Sequence, residues 1–384
     1  MPMKPIPYGL HWVDSDDIDA VCTVLKSDWL TQGPMIERFE EEIAKYVGAQ
    51  FAVAFNSGTS ALHGAMHAAG VASGDEVITS PVTFVATSNS AVYLGARPVF
   101  ADIDMRTYCV DIDRIRNALT EKTKVVAPVD MAGYPVDLPA ITDMAADHDL
   151  VVIEDAAHAL GAMRNGTFVG SEADMTMFSF HPVKHITTGE GGIITTNRED
   201  FAESLRLFRS HGITKDPRRL LKNDGPWYYE MQELGYNYRI TDIQCALGLS
   251  QMKKLERFIA RRNEIATIYN GAFYDIPNII LPPAVEASQS RHAFHLYPIR
   301  VPAKDRKEIF LKLREQGIVC QVHYIPVHLQ PYYCEAFGYR EGDYPVAEEY
   351  YRTELSLPVF PKMTDDDVNT VINAVQNVIG NFHD

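Results

Sequence analysis

The sequence predicts an α/β protein: a large domain built on a mostly parallel central sheet, followed by a smaller α+β C-terminal domain. Three observations predict it. From residue 56 to residue 195, short apolar runs alternate with segments of helical periodicity. Several of those runs are almost continuously apolar, the pattern of strands covered on both faces. Beyond Arg239 the alternation stops, and a long helical pattern gives way to mixed strand and helix. A chain of 384 residues is long enough to divide into two cores of this kind.

The early part is rich in connections until Met35, Ile36, Phe39, Ile43 and Val47 recur at helical spacing. Asn56-Ser57-Gly58-Thr59-Ser60 then opens a helix that carries Leu62 and Met66 and closes at Gly70. Apolar strands are expected near Glu76–Thr79, Pro98–Ala101, Lys124–Val129, Leu150–Ile153, Met175–Phe180 and Gly192–Thr195. Thr241-Asp242 is an N-cap signal, and Ile243, Leu247, Leu249, Met252, Leu255, Ile259 and Ile265 continue from it as one long helix. The domain boundary falls on that helix, dividing the chain into 1–240 and 241–384. A strand over Ala293–Val301, a helix over Asp305–Gln316 and a strand over Ile318–His323 follow. The last helix starts at Thr364 and shows Val368, Val371, Val375 and Val378 on one face. The sequence has no internal repeat, low-complexity tract or obvious linker.

Composition narrows the function classes. A formal charge of −16 argues against nucleic acid, whose phosphate backbone calls for a basic face. Five scattered cysteines without CxxC spacing read as reduced thiols. The segment Met1–Pro7 has no apolar leader core, and no apolar run approaches a membrane span. A cytoplasmic protein with no membrane partner is the expectation. His323 and His328 lack metal-ligand spacing and there is no HExxH, so no metal site is expected. GxGxxG after the first strand, GxxxxGK[ST] and GxSxG are also missing.

The chemistry concentrates at two strand ends. Phe178-Ser179-Phe180-His181-Pro182-Val183-Lys184 is followed by Gly189-Glu190-Gly191-Gly192, which sets one lysine between an apolar strand and a glycine-rich turn. Asp155 ends the apolar run that begins at Leu150. Pyridoxal phosphate enzymes need this pair: the lysine amine condenses with the cofactor aldehyde, and the aspartate keeps the pyridine nitrogen protonated. Each residue alone reads as a helix cap or a solvated charge. The apolar and glycine neighbours of Lys184 favour the functional reading, because burial depresses an amine's pKa and promotes condensation. Ser57, Gly58 and Thr59 at a helix start can cradle a phosphate, although an ordinary capped helix has the same appearance. Ser179 can add a hydroxyl. Phe84 can stack on a pyridine ring or fill the core. His158, three residues beyond Asp155, and His181, near Lys184, are candidates to contact or tune the cofactor.

Together these segments resemble the DegT/DnrJ/EryC1/StrS family of sugar aminotransferases, and the resemblance spans nearly the whole chain. Leu30-Thr31-Gln32-Gly33, Asp130-Met131-Ala132-Gly133, Phe208-Arg209-Ser210-His211-Gly212, Gly235-Tyr236-Asn237-Tyr238-Arg239 and Val322-His323-Tyr324 add to it. It implies the fold-type I, aspartate aminotransferase-like architecture, with pyridoxal 5′-phosphate as cofactor. It implies Lys184 as the catalytic lysine, which also moves the substrate protons, and Asp155 as the pyridinium partner. Gly58, Thr59 and Ser179 are implied as phosphate ligands, with Phe84 stacking. Asn237 is implied to reach the cofactor phosphate of a neighbouring subunit, which makes the protein a homodimer with a composite active site. Thr31, Gln32, His323 and Tyr324 are implied on the substrate side.

Within the family the similarity runs closest to the members of pseudaminic acid biosynthesis, on Leu30-Thr31-Gln32-Gly33-Pro34, Ile186-Thr187-Thr188 and Ala246-Leu247-Gly248-Leu249-Ser250-Gln251. It implies L-glutamate as donor and UDP-2-acetamido-2,6-dideoxy-β-L-arabino-hex-4-ulose as acceptor. Another dTDP-, GDP- or UDP-linked keto sugar stays open. So do a sugar dehydratase of the same fold, in which histidine replaces the lysine, and a non-enzymatic regulatory protein. Lys184, Asp155 and the phosphate residues are all present, which argues against both of the latter. The basic stretch Lys215, Arg218, Arg219 and Lys222 reads as a diphosphate contact or a solvated loop, and 214–229 as a polar segment able to cover the site.

Overall fold

A computed structural model of the protein describes residues 5–285 and 289–380. The apolar runs pair into a seven-stranded sheet. Its spatial order is Phe51–Phe55, Gly192–Thr196, Met175–Ser179, Val151–Asp155, Thr123–Ala127, Glu76–Thr79, Arg97–Phe100. Gly192–Thr196 runs antiparallel to both of its neighbours, and the remaining pairs are parallel. Successive side chains enter opposite cores. Ala52, Ala54 and Ile193 join a cluster with Phe39, Ile43, Phe178 and Phe180, whereas Val53, Phe55 and Ile194 join one with Leu62, Met66 and Leu205. Both faces are therefore covered, as a largely parallel sheet requires.

Several elements differ from the sequence reading. The edge strand Phe51–Phe55 is additional to the six expected strands. Its Ala52 and Ala54 are weak strand formers, and the ladder to Gly192–Thr196 makes up for them. The single long helix expected from Thr241 is two helices, Asp242–Met252 and Leu255–Phe273. Thr241 caps the first in a capping box with Gln244. Lys254 at the break is drawn inward by ion pairs to Asp14 and to Asp17 at 2.9 Å. The second helix joins two cores. Leu255, Phe258 and Ile259 pack with the large sheet's core, while Ile265, Tyr269 and Phe273 pack into a separate C-terminal core.

That second core is built around the antiparallel pair Tyr297–Arg300 and Glu354–Leu357. The helices Arg306–Glu315 and Asp365–Ile379 contribute Ile309, Leu313, Val371 and Val375. The expected strand Ile318–His323 is shorter: Ile318–Val319 pairs with Ile6–Pro7, and Gln321 then bridges to Ser356. Among the described residues, no helix is long and apolar enough to cross a membrane.

Candidate active site

A cavity of about 450 Å³ lies where the Val151–Asp155 and Met175–Ser179 strands end at their carboxyl termini, the usual place for a ligand on a sheet of this kind. Asp155 and Lys184 both line it.

Asp155 is placed by the strand ladder and held at both carboxylate oxygens. Thr87 Oγ1 donates to Oδ2 at 2.6 Å, and the Ala157 N–H donates to Oδ1 at 3.1 Å. The carboxylate is buried and, among the described residues, makes no ion pair. Burial raises its pKa, while Thr87, the Ala157 N–H and the charge of Lys184 oppose the rise. A desolvated carboxylate held this way favours a cationic hydrogen-bond donor in the cavity.

Lys184 follows a turn in which its own N–H donates to His181 O at 2.9 Å. Its Nζ lies 3.3 Å from His295 Nε2. Burial is the main cause that lowers its pKa to about 7; Arg262 adds to the lowering and Asp155 opposes it. Arg262 is itself buried and ties the neighbourhood together. It donates to Phe294 O at 3.1 Å, to Val359 O at 2.7 Å and to Val183 O at 3.5 Å. The amine is thus half neutral near pH 7 and mostly neutral above it. Below pH 7 its rate of capturing free pyridoxal phosphate is expected to fall about tenfold per pH unit, and to level off above. Stopped-flow absorbance of cofactor-free protein mixed with pyridoxal phosphate measures this; a flat profile from pH 5.5 to 7 would count against the assigned cause.

Three imidazoles beside the amine are kept neutral. His158, His185 and His295 are buried, and burial together with the charge of Lys184 depresses each of them. His158 Nε2 meets Tyr324 Oη at 3.2 Å, and its ring lies 4.4 Å from that of His295. His323 and Tyr324 line the cavity. Phe84 also lines it and is 58% exposed, leaving a ring face free to stack on a flat ligand.

Ser57, Gly58, Thr59 and Ser179 line the same cavity at the start of the helix Gly58–Ala68. Ser57 Oγ accepts from the Ser60 N–H at 3.1 Å, so its hydroxyl serves the cap. The N–H groups of Gly58 and Thr59, in the first turn, have no partner within the helix and are suited to an anion. Gly192 holds this helix start against the sheet: a Cβ there would stand 2.5 Å from Ser57 O and 2.6 Å from Gly58 N. Gly192→Ala is therefore expected to displace the cradle and weaken pyridoxal phosphate affinity by about tenfold or more, as overpacking of roughly 1–3 kcal/mol implies. Equilibrium titration of cofactor into the variant tests this, and an unchanged Kd would refute it.

His181 lines the cavity from an exposed position. Thr31, Gln32 and Asn237 do not line it. All three are exposed, Thr31 bridged to Thr241 and Asn237 to Ser210. The basic stretch is paired locally, Arg218 with Asp216, Arg219 with Glu203 and Lys222 with Asp224. The segment 214–229 is closed by pairing of Ile213–Thr214 with Glu230–Met231 and does not line the cavity. Sequence reasoning missed Thr87, His295 and Arg262. Thr87 stands in the same run as Phe84, and its i,i+4 spacing from Thr83, whose hydroxyl it meets at 2.9 Å, was a usable signal. His295 and Arg262 carry no local signal, because they reach Lys184 only through tertiary packing.

The donor set fits pyridoxal phosphate. A buried carboxylate without an ion pair among the described residues suits a pyridinium, a largely neutral amine suits an aldehyde, and a capped helix start with hydroxyls suits a phosphate.

A sequence profile of the DegT/DnrJ/EryC1/StrS aminotransferase family matches residues 12–376. The chain is 44% identical over 379 residues, 97% of each chain, to the spore coat polysaccharide biosynthesis protein SpsC of Bacillus subtilis. Its structure matches Helicobacter pylori PseC, an aminotransferase involved in the biosynthesis of pseudaminic acid, with a TM-score of 0.91 and 34% identity over 99% of this chain and 100% of that one. It also matches the PMP form of a putative sugar aminotransferase, Spr1654 from Streptococcus pneumoniae, with a TM-score of 0.91 and 32% identity over 97% of this chain and 98% of that one.

Proposed function

The chain belongs to the DegT/DnrJ/EryC1/StrS aminotransferase family and is a pyridoxal-phosphate-dependent sugar aminotransferase; from that premise we propose that it moves an amino group from L-glutamate to C4 of a UDP-4-keto-6-deoxy-N-acetylhexosamine. The acceptor proposed is UDP-2-acetamido-2,6-dideoxy-β-L-arabino-hex-4-ulose, a step of pseudaminic acid biosynthesis. The observation that carries the chemistry is Asp155 and Lys184 on one cavity. The likeness to PseC supports the sugar.

Pyridoxal phosphate, when bound, supplies an aldehyde that captures the donor's amine and a ring that accepts electrons from its Cα. Lys184 Nζ takes the proton from Cα of the donor and later delivers one to C4 of the sugar, and its burial favours the neutral amine that this needs. Asp155 holds the proton on the ring nitrogen, and Thr87 and the Ala157 N–H fix the direction of its carboxylate. Gly58, Thr59 and Ser179 bind the phosphate, Ser57 caps the helix start that presents them, and Phe84 covers one ring face. His158 and His181 contact the cofactor's surroundings. His323 and Tyr324 meet the substrate.

Thr31, Gln32 and Asn237 serve the cavity of a second copy, which makes a homodimer the functional unit. Exposed apolar side chains beside them, Trp29, Leu30, Met231, Leu234 and Tyr236, support that reading. Five cysteines without a disulfide support a cytoplasmic location.

One observation favours a second reading of the sugar: identity to SpsC, at 44%, exceeds that to PseC, at 34%. The acceptor is then another nucleotide-linked keto sugar of polysaccharide assembly. The test loads the protein with L-glutamate and offers UDP-, dTDP- and GDP-4-keto sugars one at a time, following amino-sugar formation by mass. Turnover with the UDP-N-acetyl acceptor alone supports the first reading, and turnover with another alone supports the second.

A further inference from the structure

Behind His323, which lines the cavity, lie two buried polar side chains, Ser356 and Glu354, that the reaction above does not use. Ser356 and Glu354 stand two residues apart on one strand and so on the same face. His323 is brought to them by the bridge between Gln321 and Ser356. Ser356 Oγ lies 2.6 Å from Glu354 Oε1 and 2.8 Å from His323 Nδ1. The His323 backbone N–H donates to Glu354 Oε2 at 2.8 Å, which fixes the carboxyl group. Glu354 and Ser356 are fully buried, and the His323 ring lines the cavity. With Nδ1 committed to Ser356, Nε2 is the nitrogen His323 offers to a ligand.

A hydroxyl between two groups that both donate and accept can point either way. In one arrangement the Glu354 carboxyl O–H donates to Ser356, Ser356 donates to Nδ1, and Nε2 carries the imidazole proton. In the other Glu354 is a carboxylate, Ser356 donates to it, Nδ1–H donates to Ser356, and Nε2 is a bare acceptor. We propose that Glu354, Ser356 and His323 form a proton relay that delivers a proton to, and recovers it from, the oxygen of the keto substrate in the cavity. The proposal rests on the aminotransferase reading of that cavity.

In the delivering direction, Nε2–H gives its proton to the keto oxygen; the carbon–oxygen bond breaks as the carbon–nitrogen bond forms, and the oxygen leaves as water with this proton and one from the attacking amine. The hydroxyl proton of Ser356 moves to Nδ1, and the carboxyl proton of Glu354 moves to Ser356 Oγ. The sum is one proton lost by Glu354 and one gained by the substrate oxygen, with His323 neutral at both ends. His323 is the catalytic residue of the three, and Ser356 and Glu354 are positioning residues.

Burial is the main cause that raises the Glu354 pKa to about 8, against the opposing pull of Ser356, the His323 N–H and Arg306. Burial lowers His323 to about 3, with the charge of Lys184 adding to it, so an imidazolium is disfavoured. Other groups face the relay. Tyr350, Tyr108, Tyr324 and Cys320 all feel Glu354, and burial pushes each of them up, out of the range below pH 9.5. Arg306 approaches from the helix Arg306–Glu315, Arg300 stands opposite Glu354 on the neighbouring strand, and Tyr8 and His158 flank His323. Among the described residues, Lys184 is the neighbour that titrates near 7, and in the holoenzyme its amine is engaged by the cofactor.

The experiment is nitrogen NMR of histidine-labelled holoenzyme from pH 6.5 to 9.5, with the His323 signals assigned by their loss in His323→Gln. The expected result is a change from Nε2–H to Nδ1–H as pH rises through about 8, with no imidazolium. In Glu354→Gln the amide donates permanently to Ser356, so the ring should stay Nε2–H throughout. In Ser356→Ala the tautomer should no longer follow pH, and kcat should fall about tenfold with KM little changed. A His323 tautomer that is constant in the wild type, or that changes equally in Ser356→Ala, overturns the relay. Absence of turnover with every keto sugar would fault the aminotransferase reading, while the NMR result would still judge the relay.

Discussion

Replacement of Lys184 by alanine is expected to lower transamination by about 10²–10⁴-fold or more, because one group both anchors the cofactor aldehyde and moves the substrate proton. The fold should survive. The amine is poorly solvated, and a buried amine stabilises little unless fully paired. Its hydrogen bond to His295 at 3.3 Å is a long one. Circular dichroism should therefore superimpose on that of the wild type. Borohydride reduction followed by peptide mass analysis should attach cofactor to the wild type at Lys184 and leave the variant unlabelled. A folded variant that retains full turnover would remove Lys184 from the mechanism.

Asp155→Asn should separate binding from chemistry. Asparagine is close in shape and can still accept from Thr87, whose hydroxyl stands 2.6 Å from Oδ2. The phosphate cradle and Lys184 are untouched, so cofactor affinity should change by no more than about tenfold. What is lost is the buried negative charge that holds a proton on the ring nitrogen. Loss of one partner of a buried charged pair costs roughly 2–5 kcal/mol. At about 1.4 kcal/mol per factor of ten, that is roughly 30- to 4,000-fold in the rate of the glutamate half-reaction. Single-turnover absorbance measures it. An unchanged rate with cofactor bound would mean that the ring nitrogen is served by another group.

The contrast between what was legible and what was not has a physical basis. Asp155 and Lys184 could be found because strand ends are written locally, as apolar runs closed by a polar residue or a glycine turn. Ser57, Gly58 and Thr59 were legible for the same reason, since a capped helix start is a local signal. The strand Phe51–Phe55 escaped because its alanines carry little strand preference, and its place is set by the partner Gly192–Thr196. The break at Lys253 and Lys254 escaped because the apolar spacing continues across it. The cause is the pull of Asp14 and Asp17, about 240 residues away, on Lys254. His295 and Arg262 were silent because their roles exist only once two cores pack together. Thr31, Gln32 and Asn237, picked out by resemblance, stand outside the cavity, and geometry within the single chain gives them no task.

The most direct test of the central claim, that Lys184 and Asp155 serve a pyridoxal phosphate aminotransferase, is the absorption spectrum of the purified protein with cofactor before and after L-glutamate. The expected result is a visible band that collapses to a near-ultraviolet one on addition of glutamate and returns when a 4-keto sugar nucleotide is supplied. A protein that binds the cofactor yet keeps its visible band with every amino donor would contradict it.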